Sequence, residues 1–178
     1  MNRTLLAIVL PLILGSPASH ARNGVRWDVE VAPSVKADLR PVKWTVVGGA
    51  RARDVASGRT VPITVQADIA KGWHIYSLNQ KPGGPIPLRI ELVGAQDIVV
   101  RGVIKAPKPE RTYDKNFGIE TELYSGSPRF TIPVGVPGKA TTGVRKFQVG
   151  ARYQVCSDKL CLPPRTDKLD VALRIASR

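Results

Sequence analysis

The stretch Thr60-Val61-Pro62-Ile63-Thr64-Val65-Gln66-Ala67-Asp68-Ile69 decides how the chain is read. Val61, Ile63, Val65, Ala67 and Ile69 occupy every second position. Successive side chains of a strand point to opposite faces, so strict alternation predicts a strand with one buried face. Lys71-Gly72 then predicts a turn, and Trp73-His74-Ile75-Tyr76 a short aromatic strand. Lys81-Pro82-Gly83-Gly84-Pro85 has the composition of a loop.

The same pattern recurs toward the C-terminus. Leu88, Ile90 and Leu92 alternate. Val99 to Ile104 predicts a further strand, closed by Pro107 and Pro109. Glu110 to Gly126 is polar with embedded Tyr113, Phe117 and Tyr124. Phe130 to Val136 predicts a strand carrying Pro133, Val144 to Val155 a long one, and Leu169, Val171, Leu173 and Ile175 a last alternation. Short strands at regular spacing, with 16 Gly and 15 Pro in 178 residues, predict an all-β antiparallel sandwich rather than a helix bundle.

Outward from Thr60 toward the N-terminus the pattern thins. Residues 22–59 form a polar lead-in contributing one or two strands. Val25, Trp27, Val29 and Val31 alternate before Pro33, and Trp44-Thr45-Val46-Val47 ends at Gly48-Gly49. Ala50 to Gly58 is charged and loop-like. Residues 1–21 have the pattern of a secretory signal: Arg3, an apolar run from Leu5 to Leu14, then small residues up to Ala21. That run is too short for a spanning helix. The remainder, with its sandwich domain at 60–178, is expected to be exported, periplasmic and without a transmembrane segment.

The formal net charge is +13. The lysines and arginines are scattered, without the basic run that marks nucleic-acid binders. They fit a solvated basic surface, or steering of an acidic protein partner. Met1 and His20 fall in the signal, which leaves His74 and no methionine. That argues against a Met-rich copper site or a histidine metal site. No cofactor is predicted.

Both cysteines lie in Tyr153-Gln154-Val155-Cys156-Ser157-Asp158-Lys159-Leu160-Cys161-Leu162-Pro163-Pro164. A hairpin across the four-residue connection would set Cys156 opposite Cys161, with Cα atoms about 4.5–5.5 Å apart. So short a ring removes roughly 2 kcal/mol of unfolded-state entropy, against nearly 5 for a ring of about 100 residues. The pair is therefore a weak staple, and exchange is a serious alternative. Arg152, Lys159 and Arg165 lie close in sequence and would favour a thiolate, while Asp158 would oppose it. Exported domains also carry plain structural disulfides, so both readings stand at this point. Two thiolates fall short of a closed zinc site.

Four motifs carry a resemblance. Tyr153-Gln154-Val155-Cys156 followed by Cys161-Leu162-Pro163-Pro164 resembles the active-site hairpin of the DsbD N-terminal (disulfide-bond corrector) domain family. Gly72-Trp73-His74-Ile75-Tyr76-Ser77 resembles its aromatic strand, and Gly84-Pro85-Ile86-Pro87-Leu88 its Gly-Pro-x-Pro-Leu loop. Asp114-Lys115-Asn116-Phe117-Gly118 with Glu122-Leu123-Tyr124 resembles its cap loop. The motifs occur in the family's order from about Thr60 onward.

The resemblance implies an immunoglobulin-like sandwich whose cysteine pair cycles between dithiol and disulfide. It makes Cys161 the sulfur of the mixed disulfide and Cys156 its resolver. It makes Asp114, Asn116, Phe117 and Gly118 a lid, with Tyr76 and His74 lining the site. The family's capping phenylalanine aligns with Asn116, one position before Phe117. Trp73, Tyr76 and Tyr124 also suit ordinary packing. The implied partners are thioredoxin-like or membrane-embedded thiol oxidoreductases, and the implied function is a thiol–disulfide relay. The full family protein continues into transmembrane helices and a thioredoxin domain. This sequence ends at Arg178, so the electron donor is expected to be a separate protein. The alternatives are a non-catalytic immunoglobulin-like binding module with a structural disulfide, and a Cu(I)-handling thiol pair.

Overall fold

The strands follow the alternation of the sequence. The computed structural model describes residues 40–48, 54–95 and 97–176. The signal segment and the strand expected at Val25–Val31 lie outside them. In chain order the strands are β1 (Val42–Gly48), β2 (Asp54–Ala56), β3 (Thr60–Ile69), β4 (Trp73–Tyr76), β5 (Arg89–Val93), β6 (Val99–Val100), β7 (Glu110–Asp114), β8 (Ile119–Tyr124), β9 (Arg129–Gly135), β10 (Gly143–Tyr153), β11 (Val155–Ser157) and β12 (Arg165–Ala176).

The strands form an all-β, immunoglobulin-like sandwich. One sheet has the order β1-β3-β9-β6 and a second β2-β12-β10-β5. Each strand contributes its alternate residues to a shared core. Ile63, Val65 and Ala67 of β3, Phe130, Ile132 and Val134 of β9, Phe147 and Val149 of β10, and Val171, Leu173 and Ile175 of β12 are all buried there. A third sheet, β11-β4-β8-β7, carries the cysteine pair.

The polar segment Glu110–Gly126 forms a hairpin: β7 and β8 pair antiparallel from Glu110↔Leu123 to Asp114↔Ile119, because polar residues suffice where one face of a hairpin meets water. Three local expectations are corrected. Ala50–Gly58 is not wholly loop: Asp54–Ala56 pairs parallel with the end of β12. The strand expected over Val99–Ile104 is confined to Val99–Val100, with an isolated bridge at Lys105↔Thr131. The long strand expected over Val144–Val155 breaks at Gln154, and Val155–Ser157 moves to the third sheet beside β4. The Gln154 side chain instead accepts a hydrogen bond from the Ile86 N–H at 3.2 Å. That contact ties the Gly-Pro-x-Pro-Leu loop to the cysteine hairpin.

Candidate redox site

Two hairpins build the site. In the first, Cys156 and Cys161 face each other as an antiparallel bridge and are joined by a disulfide, their Cα atoms 4.1 Å apart. The turn between them is closed by Ser157, whose N–H donates to the Leu160 carbonyl at 2.8 Å. Its hydroxyl oxygen accepts from the N–H groups of Lys159 and Leu160. A serine at the head of a turn can satisfy the backbone in this way.

The second hairpin forms the lid. Asp114 ends β7, and its Oδ1 accepts from the N–H groups of Asn116 at 2.8 Å and Phe117 at 3.3 Å. Gly118 closes the turn at φ +68°, where a side chain would be strained. Its N–H donates to the Asp114 carbonyl at 2.7 Å. The sequence Asp-x-x-x-Gly thus encodes the turn locally: an aspartate to cap it and a glycine to reverse it.

Lid and disulfide meet around Tyr76. Tyr76, Leu123 and Cys156 form a small buried cluster apart from the main core, and Phe117 and Cys161 pack against it. Cys156 is wholly buried, whereas Cys161 is half-buried. The Phe117 ring meets the Tyr76 ring edge-on, with centroids 6.0 Å apart. Asn116 is exposed and reaches across the gap: its Nδ2 donates to the Ser157 carbonyl at 3.0 Å. The lid is thereby held on the cysteine hairpin itself.

Polar groups complete the floor. The Tyr76 hydroxyl donates to Asp114 Oδ2 at 2.6 Å. His74 lies directly opposite Cys156 in the β4–β11 register. Its Nε2 is 3.2 Å from the Tyr76 hydroxyl and 4.0 Å from Asp114 Oδ2. Burial holds the His74 imidazole below its ordinary pKa, against the pull of Asp114, Asp158 and Glu110. Burial, reinforced by the bond to Asp114, pushes the Tyr76 hydroxyl far up. A cleft of about 410 Å³ opens beside this floor, lined by His74, Glu110, Asp114, Asn116 and Asp158 among others.

The residue model describing the N-terminal region of the thiol:disulfide interchange protein DsbD matches residues 45–173. This chain belongs to that family. No curated protein matches it at the sequence level. Among solved structures, the reduced DsbD N-terminal domain of Neisseria meningitidis is 19% identical, with a TM-score of 0.47, covering 79% of this chain and 98% of that one. The complex of the DsbD and PilB N-terminal domains from the same organism matches at 20% identity and a TM-score of 0.43, over 61% of this chain and 73% of that one. The N-terminal periplasmic domain of ScsB from Proteus mirabilis matches at 20% identity and a TM-score of 0.49, over 73% of this chain and 44% of that one.

The eight residues named as candidate site residues lie together around the disulfide and the lid turn. Cys156, Cys161, Tyr76 and Phe117 share the apolar cluster, while Asp114, Asn116, Gly118 and His74 build the lid turn and the floor. Tyr124 and Trp73 belong to the main core instead, Tyr124 edge-on to Phe130. The Arg165 guanidinium is paired with Asp167. Sequence reasoning passed over Leu123 and the Ser157 carbonyl. Leu123 was visible as an apolar residue inside a quoted motif. A backbone acceptor leaves no mark in side-chain identity.

Proposed function

We propose that this chain is an exported, periplasmic thiol–disulfide exchange domain. In this reading the Cys156/Cys161 pair relays electrons between a thioredoxin-like or membrane-embedded donor and exported oxidoreductases. One observation carries the reading: the bridged pair is unequally buried beside a lid, with Cys156 enclosed, Cys161 half-buried, and Phe117 and Cys161 both packed against the Tyr76–Leu123–Cys156 cluster. A bridge that closes so short a ring contributes roughly 2 kcal/mol as a staple, and a staple needs no aromatic cover.

The exchange balances as follows. A donor thiolate attacks Cys161 Sγ, the bond to Cys156 breaks, and Cys156 leaves with the electron pair and takes up a proton. The donor's second thiol then releases Cys161, leaving the pair reduced and the donor oxidised. In the outgoing half, the Cys161 thiolate attacks an acceptor disulfide. Cys156 then resolves the mixed disulfide, and two electrons pass to the acceptor. Asp114 and Gly118 shape the lid turn, Phe117 shields Cys161 from stray thiols, and a docked partner displaces the lid.

The test is trapping with a thioredoxin-like oxidoreductase. Cys156→Ser should accumulate a mixed disulfide on Cys161, and Cys161→Ser should not. Resistance of the folded wild-type pair to reduction by such a donor would sink the reading. If Cys161→Ser lowers stability while partner binding persists unchanged, the chain is a binding module with a structural disulfide.

A further inference from the structure

The hydrogen bonds around Tyr76 leave one nitrogen unaccounted for. A tyrosine hydroxyl has a single proton. Tyr76 directs it to Asp114 Oδ2 at 2.6 Å. Its contact with His74 Nε2 at 3.2 Å therefore requires the histidine to donate. A neutral His74 protonated on Nε2 carries a bare lone pair on Nδ1, and that atom has no hydrogen bond among the described residues. Residues directly opposite on antiparallel strands turn their side chains to the same face, with Cβ atoms about 4.5–5.5 Å apart. Cys156 is the residue opposite His74. Tyr76, two residues along β4, shares that face and lies in one buried cluster with Leu123 and Cys156.

We propose that His74 is the base for the resolving cysteine: its Nδ1 takes the thiol proton of Cys156 as that sulfur attacks the mixed disulfide on Cys161. The role rests on the exchange function proposed above. The Cys156 S–H bond breaks and its proton moves to the imidazole. The Cys156 thiolate forms the bond to Cys161 Sγ, and the partner's sulfur departs with the electron pair of the bond that breaks. The pair is oxidised, the partner reduced, and the proton leaves His74 for the departing thiolate or for water. The imidazolium formed in between faces Asp114 Oδ2 at 4.0 Å.

The surroundings suit a base rather than a permanent cation. The His74 side chain is 13% exposed, and burial keeps the imidazole neutral at pH 7 and free to accept. The groups lining its cleft are Glu110 and Asp114 of β7, with Tyr113 between them, Lys115 of the lid turn and Asp158 of the cysteine turn. Three carboxylates against one ammonium favour the transient positive charge over a permanent negative one. A general base of this kind contributes about a hundredfold or more to a step limited by proton removal.

The test follows resolution with a small disulfide reagent. The fully reduced protein is mixed with 5,5′-dithiobis(2-nitrobenzoate). The first nitrothiobenzoate release reports attack by Cys161, and the second reports resolution by Cys156. His74→Gln keeps a donor toward Tyr76 and removes the base. Relative to the first release, the second should slow at least about tenfold and lose the inflection that the wild type should show below neutral pH. A second release at the wild-type rate with the wild-type pH profile overturns the role of His74. Absence of any first release from Cys161 overturns the exchange reading instead. A measurement on the unaltered protein stands beside this. His74 is the one histidine beyond residue 21, so its ring resonances can be titrated alone. Its pKa should differ between the oxidised and dithiol forms, and an identical pKa in both overturns the proposal.

Discussion

The Tyr76 hydroxyl and the Asp114 carboxylate, 38 residues apart in sequence, meet at 2.6 Å beneath the lid. Both are buried. The aspartate spends one oxygen on the lid turn and the other on the floor, so a single side chain couples the shape of the lid to the residue packed against Cys156.

Tyr76→Phe leaves Asp114 Oδ2 buried without its hydroxyl donor. An unsatisfied buried acceptor costs about 1–3 kcal/mol. The expected result is an unfolding free energy lower by that amount, seen as a lower urea midpoint with an unchanged slope, read by equilibrium unfolding of the oxidised protein.

Phe117→Ala and Asn116→Ala separate two ways of holding the lid. Phe117 packs against the Tyr76–Leu123–Cys156 cluster, and Asn116 ties the lid to Ser157 by one exposed hydrogen bond. Reduction of the disulfide by a small dithiol should accelerate several-fold in both variants. Global stability should fall by about 1 kcal/mol or less for Asn116→Ala, the worth of one hydrogen bond. If Phe117→Ala is reduced no faster than the wild type, Phe117 is not a shield.

Acid should loosen the site through His74. Burial depresses its folded pKa below the unfolded value of 6.5, so the unfolded chain binds the proton more tightly. The contribution of His74 is complete above the unfolded pKa and is lost as pH falls through the folded one. The unfolding midpoint should decline from pH 7.5 toward pH 5, and His74→Gln should flatten that part of the profile.

Alkali should act through Tyr76 and Tyr153. Burial raises both hydroxyls above their ordinary value, and each also donates to a carboxylate, Asp114 and Asp167 respectively. Here the folded state holds the proton more tightly. Stability is complete below the unfolded pKa near 10 and is lost as pH rises above it. The absorbance of ionised Tyr76 and Tyr153 should then appear together with unfolding.

The period-2 runs were enough to place β3 and β12 and to pick their buried faces, because pleating alone sends alternate side chains to opposite sides. The Cys-x4-Cys spacing was enough to predict that a hairpin sets the two cysteines face to face. The lid turn was marked by resemblance to the family's cap loop, and its aspartate cap and glycine reversal are local bonds. Each of these is short-range chemistry written in neighbouring residues.

The assembly of the site came from elsewhere. The Asn116 bond to Ser157 spans 41 residues, the Tyr76 bond to Asp114 spans 38, and the facing of His74 and Cys156 depends on how β4 and β11 slide past each other. A one-residue slip in register would move each side chain to the other face, and nothing in local composition sets that register. Packing sets it, through the break at Gln154 that carries Cys156 out of the β10 sheet and onto β4. The same packing puts Phe117 edge-on to Tyr76 and leaves Asn116 to hold the lid from outside.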